Sequence, residues 1–159
     1  MAETKTDVET VERVIPAPPE RIFELLVHPD RHHDIDGSGT VRDAKGEGAT
    51  ARMKLGSKFG MHMKMGLPYS MESEVIEFEE NRCVAWQTRP PGIAAKLGGG
   101  RIWKYELEPV DGGTRVRESW DISQESASSK WLVKLEGARK KTRESMTKTL
   151  ERIEELVTA

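Results

Sequence analysis

The sequence has few of the residues that form covalent or metal cross-links, because Cys83 is its single cysteine. One cysteine excludes an internal disulfide and any metal cage built from several thiolates, and it fits a reducing compartment. No run approaches the ~18 apolar residues of a membrane span. The first ten residues, MAETKTDVET, contain no apolar signal core. We therefore expect a cytoplasmic protein without a transmembrane segment.

The net charge is also close to zero, because the sequence has 25 Lys and Arg residues and 27 Asp and Glu residues. A balanced chain has no global field that would recruit nucleic acid, and we expect no nucleic-acid partner. Basic residues do outnumber acidic ones from Lys130 onward. We interpret them as the solvated face of a helix, with an anionic lipid or RNA surface as the alternative. They are Lys130, Lys134, Arg139, Lys140, Lys141, Arg143, Lys148 and Arg152.

Several signatures of catalysis are missing as well. The sequence contains no nucleophile elbow, P-loop, dinucleotide fingerprint or HExxH motif. Cys83 lies on the outward face of its predicted strand without a nearby histidine, which makes a thiol nucleophile unfavourable. We expect no cofactor.

The pattern of apolar residues predicts a single α+β domain over 8–159, after a flexible segment at 1–7. Two short helices, at 20–26 and 30–35, follow the first strand. A helical stripe of about seven turns ends the chain. The glycine- and proline-rich connection at 90–100 is typical of a mobile lid. Alternation near a period of two predicts strands at 7–15, 40–44, 50–55, 58–67, 69–79, 82–89, 101–109 and 114–122.

Short turns between consecutive strands predict an antiparallel meander with one apolar face. Trp103, Tyr105 and Leu107 share that face in one strand, and Glu118 and Trp120 share it in the next. The C-terminal helix must cover this face. Its stripe is poorer in large apolar residues in its first half, which argues against a solid core beneath it. The stripe consists of Trp131, Leu135, Ala138, Thr142, Met146, Thr149, Leu150, Ile153 and Val157.

Five segments together resemble one family: 14–26 (VIPAPPERIFELL), 32–39 (HHDIDGSG), 75–86 (VIEFEENRCVAW), 103–116 (WKYELEPVDGGTRV) and 118–121 (ESWD). They resemble the SRPBCC superfamily of START-like, birch-pollen-allergen-like proteins, in its actinobacterial polyketide cyclase/dehydrase branch. The resemblance extends over residues 8 to 157. It implies a helix-grip fold, in which about six or seven antiparallel strands wrap the long C-terminal helix. It also implies a deep apolar cavity for lipids, sterols, polyketides or other hydrophobic ligands.

The stretch FGMHMKM raises the alternative of a soft-metal site. On a strand, however, Met61, Met63 and Met65 share one face while His62 points to the other, so the ligands would not converge. We favour a methionine wall of a binding cavity over an ordinary core, because methionine adapts to guests of different shapes. The histidine and aspartate residues between 28 and 36 also resemble metal ligands. Helix capping and turn chemistry explain them better, with His32 bordering the cavity mouth. We predict no metal site.

Glu118 is the most informative polar residue, because an unpaired carboxylate on an apolar face is costly. We expect Glu118 to pair with Arg89, Arg101 or a tyrosine hydroxyl, or else to lie at the solvent-exposed rim of the cavity. Alternatively, Glu118 is a general acid or base with a raised pKa, and Tyr105, or less surely Tyr69, donates a hydrogen bond to an enolate.

Three functions follow in order of preference. The first is the binding of a hydrophobic small molecule, with the 90–100 loop and the 28–39 segment controlling entry. The second is a polyketide cyclase, aromatase or dehydratase that uses Glu118 and Tyr105. The third is a protein-binding module similar to the chaperone-activator relatives of the superfamily. The expected ligand-binding residues are His32, Met61, Met63, Met65, Tyr69, Trp86, Trp103, Tyr105, Glu118 and Trp120.

Overall fold

The computed structural model describes residues 7–45, 50–90, 100–135 and 137–159. Most of the expected flexible N-terminus and of the expected lid, at 1–6 and 91–99, lies outside these residues. The described chain forms one seven-stranded antiparallel sheet in the order β1-β7-β6-β5-β4-β3-β2. The strands are β1 (Val8–Ile15), β2 (Val41–Lys45), β3 (Lys58–Met65), β4 (Leu67–Glu79), β5 (Cys83–Arg89), β6 (Arg101–Val110) and β7 (Gly113–Asp121).

Strands β2 to β7 form a meander, and β1 pairs with β7 at the far edge. Glycines with positive φ make two of its tight turns. Gly66 (φ 75°) joins β3 to β4, and Gly112 (φ 84°) joins β6 to β7. The alternation of apolar residues then brings side chains of adjacent strands together. Trp103 lies opposite Trp120, and Tyr105 lies opposite Glu118.

The strand predicted at 50–55 is wrong, because none of those residues belongs to the sheet. The backbone N–H of Met53 instead donates to the Val27 carbonyl (2.8 Å). Its side chain is only 2% exposed. Alternation in this segment therefore reflects one buried methionine against the end of a helix.

Two helices follow β1, as predicted, and two further helices end the chain. The first pair is α1 (Pro19–Leu26) and α2 (His32–Ile35), separated by a 3-10 turn at Pro29–Arg31. The second pair is α3 (Ala127–Leu135) and α4 (Ala138–Thr158). The predicted long C-terminal helix is confirmed as α4, but the helical stripe expected to run unbroken from Trp131 is divided between α3 and α4. Gly137, in the left-handed conformation (φ 64°), precedes α4. Trp131 of α3, placed on the inward stripe by the prediction, is 62% exposed.

Helix α4 covers the apolar face of the sheet unevenly along its length. In its C-terminal half Leu150, Ile153 and Val157 are fully buried in the hydrophobic core. In its N-terminal half the inward positions carry smaller or more polar side chains, including Ala138 and Thr142. The arrangement is the α+β helix-grip fold, with a solid core at one end and space at the other.

Ion pairs attach the helical C-terminus to β1. The Glu9 carboxylate accepts hydrogen bonds from Arg139 (2.8 Å) and Arg143 (3.3 Å). Lys130 pairs with Asp7 at 3.0 Å. These ion pairs involve three of the basic residues for which binding to an anionic lipid or RNA surface was the alternative interpretation. No described helix combines the length and the apolar character that crossing a bilayer requires.

Gly37 allows the turn after α2 to lie directly against α4. Its N–H donates to the Thr149 hydroxyl (2.9 Å), and Arg152 donates to the carbonyl of Asp36. A Cβ on Gly37 would lie 2.0 Å from the Ser145 carbonyl oxygen. This position accepts no side chain unless the two segments separate.

We predict that Gly37→Ala lowers the free energy of unfolding by about 2 kcal/mol, because the added methyl forces the turn away from α4. Gly39→Ala is the control. A Cβ there meets nothing within 4 Å, and φ is +73°. It should cost about 1 kcal/mol of backbone strain. Urea unfolding of both variants measures the difference, and equal losses would contradict the close-packing explanation.

Candidate functional site

A cavity of about 730 Å³ lies between the apolar face of the sheet and the N-terminal half of α4. The sheet contributes aromatic and thioether side chains to its wall. Helix α4 contributes Ala138, Lys141, Thr142, Ser145, Met146 and Thr149, and the α2 segment closes one side. The cavity is therefore apolar on the sheet side and more polar on the helix side.

Nine of the ten residues expected to bind ligand lie in this wall. They are His32, Met61, Met63, Tyr69, Trp86, Trp103, Tyr105, Glu118 and Trp120. The side chain of Met65 lies outside the described part of the chain. Sequence reasoning missed the contribution of Met71, which pairs with Met61 in the sheet register. It also left out all six α4 residues of the wall, although the helical stripe already marked positions 138, 142, 146 and 149 as inward.

The methionines and His62 lie on opposite faces of β3. Met61 is buried and Met63 half-buried on the cavity side. His62 is exposed on the other side, with Nδ1 3.2 Å from a carboxylate oxygen of Asp43. Across the described ranges, no three His, Cys, Asp or Glu side chains are grouped closely enough to hold a metal ion.

The acidic and histidine residues between 28 and 36 make local contacts. Asp34 pairs with Arg31 (2.8 Å) and His33 (3.0 Å). Asp36 caps the following turn by accepting hydrogen bonds from the backbone N–H groups of Ser38 and Val41, each at 3.0 Å. The Asp36 contacts are the turn interactions that the sequence indicated. The predicted capping is wrong, because no side-chain hydrogen bond caps the 3-10 turn or α2.

Glu118 lies in the cavity wall with 2% of its surface exposed. The Tyr105 hydroxyl donates a 2.8 Å hydrogen bond to its Oε1. Arg101 pairs instead with Glu125, and Arg89 donates to the side-chain oxygen of Gln87. Among the partners considered for Glu118, the tyrosine hydroxyl is therefore the one that the fold supplies.

The environment of this pair favours the uncharged carboxyl. Burial raises the pKa of Glu118 to about 8, although the Tyr105 hydrogen bond opposes the shift. The negative charge of Asp36 raises it further. Burial, together with the neighbouring carboxyl, raises the pKa of Tyr105 as well. At neutral pH both groups therefore keep their protons.

A column of stacked rings leads from α2 to this pair. The Trp86 ring stacks on His32 at 5.0 Å between centroids and on Tyr105 at 5.7 Å. His32 Nε2 lies 2.9 Å from the Leu26 carbonyl oxygen, which requires that Nε2 carry the proton. Burial lowers the pKa of His32 to about 4, so the ring is neutral at pH 7.

Two polar atoms of the wall have no hydrogen-bond partner among the described residues. They are Glu118 Oε2 and Trp120 Nε1, both fully buried. Their residues are two apart on β7 and share its cavity face. A buried polar atom left unpaired costs roughly 1–3 kcal/mol, so such pairs of atoms are uncommon in a purely structural core.

Cys83 lies on the opposite face of the sheet from the cavity. It borders a shallow surface depression formed by charged residues such as Glu77 and Lys104. Burial raises the pKa of its thiol to about 12, which keeps it protonated and unreactive.

Comparison with known proteins gives a family and a fold. The family model described as polyketide cyclase/dehydrase and lipid transport matches residues 7–158. The uncharacterized protein Rv0088 of Mycobacterium tuberculosis is 36% identical over 110 residues, which cover 67% of this chain. The match covers only 44% of that relative, so the chain spans less than half the length of the curated relatives it matches.

Two solved structures have the same fold at low identity. A protein from Arthrobacter aurescens has a TM-score of 0.72 and 16% identity, with 99% of this chain and 90% of that chain covered. The Polyketide_cyc-like protein Cgl2372 from Corynebacterium glutamicum has a TM-score of 0.64 and 20% identity, with 98% and 93% covered.

We predict that Glu118 makes folding stability fall as pH rises. The folded pKa is about 8 against an ordinary value of 4.5, so the folded state binds the proton more tightly. Its contribution is complete below pH 4.5 and is lost as pH rises through 8. The wild type should lose a few kcal/mol across this range relative to Glu118→Gln, by urea unfolding. A difference between the two proteins that stays constant with pH would contradict this assignment.

Proposed function

Because the chain belongs to the polyketide cyclase/dehydrase and lipid transport family, we propose that it encloses a hydrophobic small molecule in the cavity under α4. The observation that best supports this proposal is the cavity of about 730 Å³ with its apolar sheet wall. Small-molecule pockets have volumes of roughly 300–1,000 Å³ and combine apolar walls with a few polar groups. A lipid, a polyketide or a similar ligand fits that description.

The binding energy comes from apolar surface removed from water. Each Å² of ligand surface that the wall covers contributes roughly 25 cal/mol. Met61, Met63 and Met71 supply unbranched side chains that rearrange around different shapes. Trp86 and Trp103 supply flat, rigid surfaces beside them. This mixture favours tolerance of ligand shape over one exact fit.

Entry is proposed at the side formed by the segment after α2 and the start of α4. Ser38 and Lys141 are exposed residues of the cavity wall, so the cavity reaches the surface there. A few hydrogen bonds hold the turn at 36–41: the Gly37 N–H donates to Thr149, and the Asp36 carboxylate accepts from the backbone of the turn. We propose that opening of this turn widens the entrance. The further control of entry expected from 90–100 falls mostly on residues outside the described ranges.

We predict that Thr142→Trp abolishes ligand retention by filling the cavity from the helix side. Thr142 is half-buried and lies in the cavity wall. Glu144→Trp is the matched control, because Glu144 is exposed on the same helix. Native mass spectrometry after incubation with a bacterial lipid extract measures bound mass.

The wild type and Glu144→Trp should carry an added mass that Thr142→Trp lacks. Circular dichroism shows whether each variant keeps its secondary structure. If the wild type carries no added mass, or if folded Thr142→Trp carries the same mass, enclosure of a ligand is contradicted.

A second candidate function is acid–base catalysis on a carbonyl compound, and the Tyr105–Glu118 pair is the observation that favours it. A carboxyl whose pKa is about 8 is suited to exchanging a proton with substrate near neutral pH. As carboxylate, Glu118 would take a proton from the carbon next to a ketone, and the electron pair would move to the ketone oxygen. Tyr105 already donates to Glu118, so Trp120 Nε1 is better placed than Tyr105 to stabilise that enolate.

We predict that, if this chemistry occurs, the protein accelerates exchange of the acetyl protons of acetonaphthone with D₂O. The rate should rise through pH 8 as the carboxylate forms and should fall at least tenfold in Glu118→Gln. Glu144→Gln, altered at an exposed carboxyl, is the control. NMR follows the loss of the acetyl proton signal. If the wild-type protein exchanges these protons no faster than Glu118→Gln does, the catalytic function is contradicted and only ligand binding remains proposed.

A further inference from the structure

We infer that the cavity recognises an uncharged hydrogen-bond acceptor on its ligand, such as a ketone or ester oxygen, through Glu118 Oε2 and Trp120 Nε1. The inference rests on the proposed ligand-binding function and adds the chemical class of the group that the ligand presents. Both atoms are buried in the cavity wall and unpaired within the described ranges.

The hydrogen bond from Tyr105 determines which oxygen of Glu118 is free. Oε1 already accepts from the tyrosine hydroxyl at 2.8 Å. In the uncharged carboxyl the proton is then on Oε2, which becomes a donor. The Trp120 indole N–H is a donor in every protonation state. β7 therefore carries two buried donors without partners in the described part of the chain, two residues apart on its cavity face.

The surrounding charges select a neutral acceptor over an anion. Asp36, in the wall beside α2, contributes negative potential at both Glu118 and Tyr105. His32 is neutral at pH 7, and Arg101 is paired with Glu125. Lys141 of α4 is the remaining cation of the described wall, and it is exposed to water. A carboxylate next to Glu118 would face Asp36 without a buried counter-ion, whereas a ketone oxygen would not.

The test uses the fluorescent naphthyl ketone prodan, whose emission moves to longer wavelength when its carbonyl accepts hydrogen bonds. Dimethylaminonaphthalene, which lacks the propionyl group, reports binding of the aromatic part alone. Trp120→Phe removes one donor and keeps an aromatic ring, and dimethylaminonaphthalene reports the effect of the smaller side chain on packing. Trp131→Phe is the matched control, because Trp131 is 62% exposed and does not line the cavity.

Trp120→Phe should weaken prodan binding by about fivefold and shift the bound emission to shorter wavelength, as expected for one lost hydrogen bond. Binding of dimethylaminonaphthalene should change by less than about twofold. Trp131→Phe should leave both probes unchanged. The wild type should bind prodan more weakly above pH 8, because Glu118 then loses the proton that it donates. Glu118→Gln keeps an N–H donor at this position, so it should retain prodan and show no such weakening.

Three results would overturn the inference. Equal losses of both probes in Trp120→Phe would mean that the indole acts by packing alone. Tighter binding of naphthoate than of prodan at pH 7 would mean that the site prefers an anion. If dimethylaminonaphthalene binds the wild type and prodan does not, this inference alone fails; if neither probe binds, the proposed ligand-binding function fails with it.

Discussion

The structure depends on how one helix covers one face of a curved sheet. The apolar face of β3 to β7 must leave water, and α4 provides the covering surface. Large side chains such as Leu150 and Ile153 fill the space at one end. Toward the other end Ala138, Thr142 and Ser145 are too small to reach the sheet, and the cavity follows from that difference. The same helix therefore packs against the core in its C-terminal half and borders the cavity in its N-terminal half.

This division explains why Glu118 is tolerated on an apolar strand. Beneath the C-terminal half of α4 its neighbours would be aliphatic, whereas beneath the N-terminal half Tyr105 and the open cavity surround it. Burial without a counter-ion favours the protonated form, and the stacked column from His32 through Trp86 holds Tyr105 in position. An otherwise costly residue is thereby kept uncharged in the wall of the cavity.

Much of this arrangement could be predicted because period-two alternation is a local property. The shared face of Tyr105, Glu118 and Trp120 followed from parity, and so did the separation of His62 from Met61 and Met63. The errors depended on distant contacts or on one backbone angle. The segment 50–55 contacts the end of α1 instead of a strand, and this contact joins residues that are distant in sequence, Met53 and Val27. Likewise, Gly137 interrupts the helix through its left-handed conformation, which leaves Trp131 exposed.

At neutral pH Glu118 is an uncharged carboxyl in the wall of the cavity. The most direct measurement is a pH titration of its carboxyl carbon by NMR in protein labelled with ¹³C-glutamate. The resonance is assigned by its absence in Glu118→Gln. A midpoint near pH 8 is the predicted result. A midpoint near the ordinary 4.5 would show an ionised, hydrated carboxylate and would contradict the account.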